Sequence, residues 1–243
     1  MFVPPRGPRV GFGEKYLVCH VRAGEILNDF APDYPLTPVE FFADLVNETA
    51  LEPIFMGQTA PNAYTDRLRE RFPKATFLPT RDVVTDFETI RQSANVVVGV
   101  STYAWLAAWL SVDAKNIFMA VSGLLNPVQA PAVDLVPFGD ERFRFYLFPL
   151  NYAANLDRHA EVHRRIAPFW RYVPHAALKE LFERAPRFAL DRAWYASEYP
   201  LAGFEVRGNV PVAVEIGQAG GTGWNSQAAT ACLSRVVLTS YLA

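Results

Sequence analysis

Cysteine is scarce in this chain, with two in 243 residues, Cys19 and Cys232. Two thiols so far apart carry neither metal-ligand spacing nor a disulfide framework. Cys19, inside the apolar run Tyr16-Leu17-Val18-Cys19, reads as a small buried hydrophobe. This usage fits a reducing compartment. Histidine is almost as rare, with four. His159 and His163 stand one helical turn apart, a spacing that can hold metal. Asp157, Arg158, Glu161, Arg164 and Arg165 around them read instead as a solvated helix face. His175, after Pro174, reads as a loop or cap residue. Charge of one sign is also missing: 23 Lys and Arg balance 25 Asp and Glu, for a net −2. That excludes a polybasic binder of nucleic acid or of a membrane surface but leaves room for a local basic site facing a diphosphate. No apolar run reaches the roughly 18 residues of a membrane helix. The nearest, 94–110, is broken by Asn95, Ser101 and Thr102. The N-terminus, MFVPPRGPRVGFGEK, has no apolar signal core. A soluble, cytoplasmic protein without a membrane span or a nucleic-acid partner is the expectation. There is no G-x-S-x-G elbow, no Walker-type phosphate loop and no D-x-D pair.

What is present is enough apolar material for a large core, 51% of the residues, arranged in alternating patterns. Tyr16 to Val21 reads as a short buried strand. A polar loop with Pro32, Pro35 and Pro38 follows, and Thr37 and Pro38 fit the N-cap and first residue of a helix. Val39, Phe42, Leu45 and Val46 recur at helical spacing. Residues 53–57 read as a strand ending in a glycine turn, 63–72 as a charged helix stopped by Pro73, and 75–79 as a third strand. A helix over 82–94 precedes the β-branched run 95–100, the clearest buried strand in the chain. Tyr103 to Leu110 is apolar all round, which predicts a buried helix. Residues 115–121 form a fifth strand.

Strands and helices in strict alternation with short connections imply an α/β fold. The expectation is a Rossmann-like parallel sheet with helices on both faces, whose ligands bind at the carboxyl ends of the strands. Residues 126–150, with Phe138, Phe143, Phe145, Tyr146 and Phe148, read as a segment wrapping back over it. Leu156 to Trp170 and Ala176 to Ala185 read as helices. The expected organisation is a nucleotide-binding domain over 1–150, a mostly helical C-terminal extension over 151–207 and a weakly ordered tail over 208–243.

Two motifs sit at strand ends. In His20-Val21-Arg22-Ala23-Gly24-Glu25, alternation puts His20 and Arg22 on one side as the chain leaves the sheet. Arg22 suits forked contact with a phosphate, Gly24 lets backbone amides approach it, and Glu25 can orient Arg22 or act on a hydroxyl. A strand-end histidine beside an exposed arginine is the plainer alternative. In the second motif, Ser101-Thr102 opens a helix directly after a strand, which is anion-binding geometry and equally the geometry of a simple N-cap. Asp86 fits a hydrogen-bond acceptor for a base or ribose, or a first-turn residue favoured by the helix dipole.

In order along the chain, His20–Glu25, Tyr34-Pro35-Leu36, Asp86 and Ser101–Ser111 resemble the bacterial α-1,2- and NodZ-type α-1,6-fucosyltransferases. Those carry an H-x-R-x-G-D type motif and, downstream, a strand, a Ser/Thr-Phe pair and an aromatic W-x-A-A-x-L helix. The resemblance covers about residues 16–122. It implies the donor-binding half of a GT-B-type glycosyltransferase that takes GDP-fucose or a related nucleotide sugar as substrate and serves glycan or polysaccharide synthesis. It implies Arg22 and Ser101-Thr102 on the diphosphate, and His20 and Asp86 near the nucleoside. Glu25 is the candidate base toward a glycan acceptor. No cofactor or metal is implied, because Arg22 and helix dipoles neutralise the leaving diphosphate. Three departures stand out. Glu25 replaces the family's Asp, and Ala23 stands where many members have a second Arg. The first strand begins near residue 16, where such transferases already have an acceptor domain behind them. A separate acceptor domain, a homo-oligomer, or a degenerate nucleotide-sugar-binding protein are the expectations that follow. A second segment, Asp191–Pro200, resembles W-Y-x-x-x-Y-P-D stretches of bacterial polysaccharide glycosyltransferases, with Leu201 in place of the final Asp.

Overall fold

The computed structural model describes residues 9–27, 34–130, 133, 135–148, 170–184, 204–207 and 210–213. The expected helix over 156–170, except Trp170, the pair His159 and His163, the segment Asp191–Pro200 and most of the tail lie outside the described residues.

The chain alternates β1 (Tyr16–Val21), α1 (Val39–Thr49), β2 (Glu52–Gly57), α2 (Ala63–Arg71), β3 (Thr76–Phe77), α3 (Val83–Arg91), β4 (Asn95–Val98), α4 (Thr102–Trp109) and β5 (Asn116–Val121). Then come β6 (Phe143–Leu147), β7 (Arg171–Val173) and α5 (His175–Arg184), and finally the hairpin strands β8 (Phe204–Arg207) and β9 (Val210–Ala213). Seven strands form one sheet in the order β3-β2-β1-β4-β5-β6-β7. All neighbours are parallel except β6 and β7, which pair antiparallel at the edge. This is a Rossmann-like α/β fold with a C-terminal helical segment.

Alternation along the strands feeds two cores. Val18, Val96, Val98, Ile117, Met119, Phe143 and Phe145 pack on one face with α3, α4 and α5. Leu17, Cys19, Val21, Phe55, Val97 and Phe118 pack on the other with α1 and α2. The second core is aromatic, with Phe41 edge-on to Tyr146, Phe148 and Trp170. In the first, Ala104, Ala107 and Ala108 are fully buried and let α4 lie close to the sheet.

Several boundaries differ from the sequence reading for local reasons. Pro38 is the N-cap of α1, not its first residue, and no side chain caps that end. Thr37 serves elsewhere: its carbonyl accepts the Tyr64 hydroxyl at 2.6 Å. Helix α4 is not buried all round, since Leu106 is 40% and Trp109 36% exposed. Residues 143–147 are not a wrapping segment but a sixth parallel strand. Their aromatics alternate between the two cores, with Phe145 on one side and Tyr146 on the other. Residues 204–207 and 210–213 pair as a two-stranded hairpin, a structure the small-residue composition there did not announce. Among the described residues, no helix is long and apolar enough to cross a membrane.

Candidate functional site

Strands β1, β2 and β3 are laid down in one direction across the sheet and β4, β5 and β6 in the other, so the order reverses between β1 and β4. The helix after β1 covers one face and the helix after β4 the other. The connections part at this point, and in open α/β sheets ligands bind at such a reversal, outside the carboxyl ends of the strands. Strands β1 and β4 pair directly, Val18 with Val96 and Cys19 with Val97. The chain therefore leaves β1 at Arg22 and β4 at Gly99 on adjacent strands, at one edge.

Arg22 is half-buried, with its guanidinium over the ring of Tyr34, 4.3 Å from the centroid. Tyr34 belongs to the Tyr34-Pro35-Leu36 segment, and cation–π stacking holds that segment to the end of β1. His20 points to the α3–α4 face. Its ring lies 5.9 Å from that of Tyr103, which is 5.5 Å edge-on from Phe87. The Tyr103 hydroxyl donates to the Val83 carbonyl at 2.5 Å, tying the start of α4 to the start of α3. Burial, and then the nearby Arg22 charge, push the His20 imidazole down to about 4, so the ring is neutral at pH 7. Its Nδ1 is shut off from solvent and has no hydrogen-bond partner. Burial, then Asp86 and Asp82, push the Tyr103 phenol up to about 12.

Three glycines allow these elements to close on one another. Gly57 ends β2 at φ 95°, a conformation that needs glycine, and a Cβ there would lie 2.6 Å from the Val21 carbonyl oxygen and 3.1 Å from the His20 ring. A Cβ on Gly99 would lie 2.6 Å from Thr37 Oγ1. Gly24 would meet the Gln58 carboxamide at 2.8 Å. Gln58 was not singled out from the sequence. Its Oε1 accepts the amides of both Ala23 and Gly24, at 2.8 and 2.9 Å. The amides expected to face a phosphate thus converge on one oxygen, but that oxygen belongs to Gln58. The only sequence signal for it is its place directly after the Gly57 turn.

Ser101 is the N-cap of α4, buried, with Oγ accepting the Ala104 amide at 3.3 Å; Thr102 begins the helix and is exposed. Asp86 is buried within the first turn of α3, where Arg81 engages both its oxygens, through Nε at 2.9 Å and through the backbone amide at 3.4 Å. Arg81 also donates to Thr89 at 2.7 Å. Glu25 opens the 3-10 turn Glu25–Leu27 just beyond Gly24. The structure thus brings His20 to the start of α4 through Tyr103 and sets Arg22 just beyond it on Tyr34, whereas Gly24 lies against Gln58 after β2 and Asp86 is paired with Arg81. No group of three or more His, Cys, Asp or Glu side chains among the described residues could hold a metal ion.

Comparison with family models, with curated proteins and with solved structures finds no match to this chain. The functional reading therefore rests on topology and on the chemistry of the carboxyl edge.

Proposed function

We propose that the carboxyl edge between β1 and β4 binds a nucleotide-diphosphate sugar, with a GDP-fucose-like donor as the leading substrate class, and that the protein is a glycosyltransferase of glycan or polysaccharide synthesis. The observation that carries this reading is the placing of Arg22 and Ser101-Thr102 after adjacent parallel strands at the point where the sheet order reverses. A guanidinium and the free amides of a helix start are both anion ligands. A dinucleotide is a poorer fit. No G-x-G-x-x-G follows β1, and β2 ends in Gly57-Gln58 rather than in a carboxylate for a ribose.

In the transfer step, the acceptor hydroxyl oxygen bonds to the anomeric carbon as the bond from that carbon to the diphosphate oxygen breaks. The diphosphate leaves with the electron pair and is stabilised by Arg22 and the start of α4. The hydroxyl proton passes to the Glu25 carboxylate. His20, neutral and with an open Nδ1, lies toward the nucleoside side together with Asp86. A second reading, binding of a nucleotide sugar without transfer, is favoured by the altered first motif, in which Glu25 and Ala23 stand where the fucosyltransferases carry Asp and often a second Arg.

Calorimetry with GDP, GDP-fucose and a panel of UDP-sugars tests the reading, alongside a transfer assay. Micromolar GDP-sugar binding with release of GDP supports the transferase; binding without release supports the second reading. Absence of binding by any nucleotide would remove both.

A further inference from the structure

We propose that Asn126, in the turn after β5, recognises the sugar moiety of the bound nucleotide sugar through its side-chain N–H2 group; the inference rests on the nucleotide-sugar reading above. Strand β5 lies beside β4, with Val98 opposite Met119, so the segment that follows β5 stands next to the start of α4 at the same edge of the sheet. Four polar side chains are buried here: Ser101 after β4, and Ser122, Asn126 and Gln129 after β5. Buried polar groups at a strand end need partners, and the bonding of Asn126 can be followed atom by atom. Its backbone amide donates to Gly123 at 3.0 Å. Its carbonyl accepts from Gln129 and Ala130, both at 2.9 Å. Its Oδ1 accepts the Val128 amide at 3.0 Å. Only Nδ2 has no partner, although Asn126 is 0% exposed.

A flipped carboxamide does not remove the difficulty. It would set two donors, Nδ2 and the Val128 N–H, against each other. The open group is therefore a donor, and it wants an oxygen. A sugar offers several hydroxyl and ring oxygens, whereas the diphosphate is already matched by Arg22 and by the start of α4. Nδ2 is closed to solvent, so a ligand reaches it when the turn 126–130 shifts. Leu124 and Leu125 stay seated in the core, while the bonds from Gln129 and Ala130 to the Asn126 carbonyl are local and move with the turn. Each donor gained in the shifted form favours the sugar-bound state, and a nucleotide without a sugar provides no such gain.

The test compares GDP with GDP-fucose on the full chain by calorimetry, for the wild type, Asn126→Asp and Asn126→Ser. Asn126→Asp keeps an oxygen for the Val128 amide and turns the open donor into an acceptor. Asn126→Ser introduces no charge and serves if the Asp variant does not fold, as judged by its melting curve. The expected result is a loss of about tenfold in GDP-fucose affinity, the scale of one hydrogen bond to a ligand, with GDP affinity within about twofold of wild type. If the wild type binds GDP but the variants weaken both ligands equally, or neither, Asn126 is a structural residue and the inference is overturned while the nucleotide reading stands. If the wild type binds neither ligand, the nucleotide reading fails and takes the inference with it.

Discussion

The two ends of the same sheet differ in how fully their buried polar groups are bonded, and two asparagines make the contrast plain. At the amino end, Asn95 Nδ2 donates to the carbonyls of Glu14 and Tyr16 at 2.9 and 3.0 Å, and its Oδ1 accepts from Asn116 at 2.8 Å. Asn116 in turn accepts from Arg144. Nearby, Arg91 is 1% exposed and chelates Glu88 through two nitrogens at 2.9 and 2.6 Å. Gln92 and Ser93 accept the amides of Val10 and Phe12, fastening the lead-in to the sheet. At the carboxyl end, Asn126 Nδ2 and His20 Nδ1 are buried with nothing to bond. A saturated network holds a fold together; open valences at strand ends cost stability and are kept where a ligand fills them.

This contrast can be broken by substitution at each end. The largest effect belongs to the amino end. Arg91→Ala leaves Glu88 without its cation and should lower unfolding free energy by about 3 kcal/mol. Denaturant melts measure this, and the protein that remains folded should bind GDP as the wild type does. Next comes Arg22→Ala, which should weaken GDP binding by about 10- to 100-fold, the range of a charge-assisted contact, with little change in melting. Lys179→Ala, at an exposed i,i+4 pair with Glu183, should leave both unchanged. Equal GDP affinity in the Arg22 and Lys179 variants would end the case for an anion at Arg22. Asn95→Ala should cost about 2 kcal/mol, since it strands two carbonyls and the Asn116 amide, again without touching ligand affinity.

The remaining effect is one of pH. His20 is held neutral, so an unfolded chain binds its proton near 6.5 while the folded chain resists until about 4. Between those values the unfolded state carries more protons, so stability contributed by His20 is present above 6.5 and is lost as pH falls through the window. Melting temperature measured from pH 7 to pH 4 should fall more steeply for the wild type than for His20→Asn. Parallel curves would mean that the ring titrates freely.

The sequence made the first five strands legible because β-branched and apolar runs such as Asn95–Val100 have one natural reading, and Ser101-Thr102 marked the start of α4. Strand β6 escaped because Phe143, Phe145 and Tyr146 serve two different cores, a division set by strand partners distant in the chain. The neighbours of β1 were equally invisible, since strand order is a property of tertiary pairing, not of any local pattern. For the site, residues leaving strand ends could be named in advance. What they touch could not: Gln58 taking the Ala23 and Gly24 amides, and Arg81 taking Asp86, depend on loops folding back across the edge. Asn126 fell in the segment read as wrapping back over the domain, and only a full tally of its hydrogen bonds sets it apart.

The most direct measurement is a titration of the ¹⁵N-labelled protein with GDP, followed residue by residue through its backbone amide resonances. Shifts gathered at residues 20–24, 57–58 and 101–104, with Glu14, Asn95 and Asn116 unmoved, are what the contrast between the two ends predicts. Shifts centred on the amino end, or none anywhere at millimolar GDP, would contradict it.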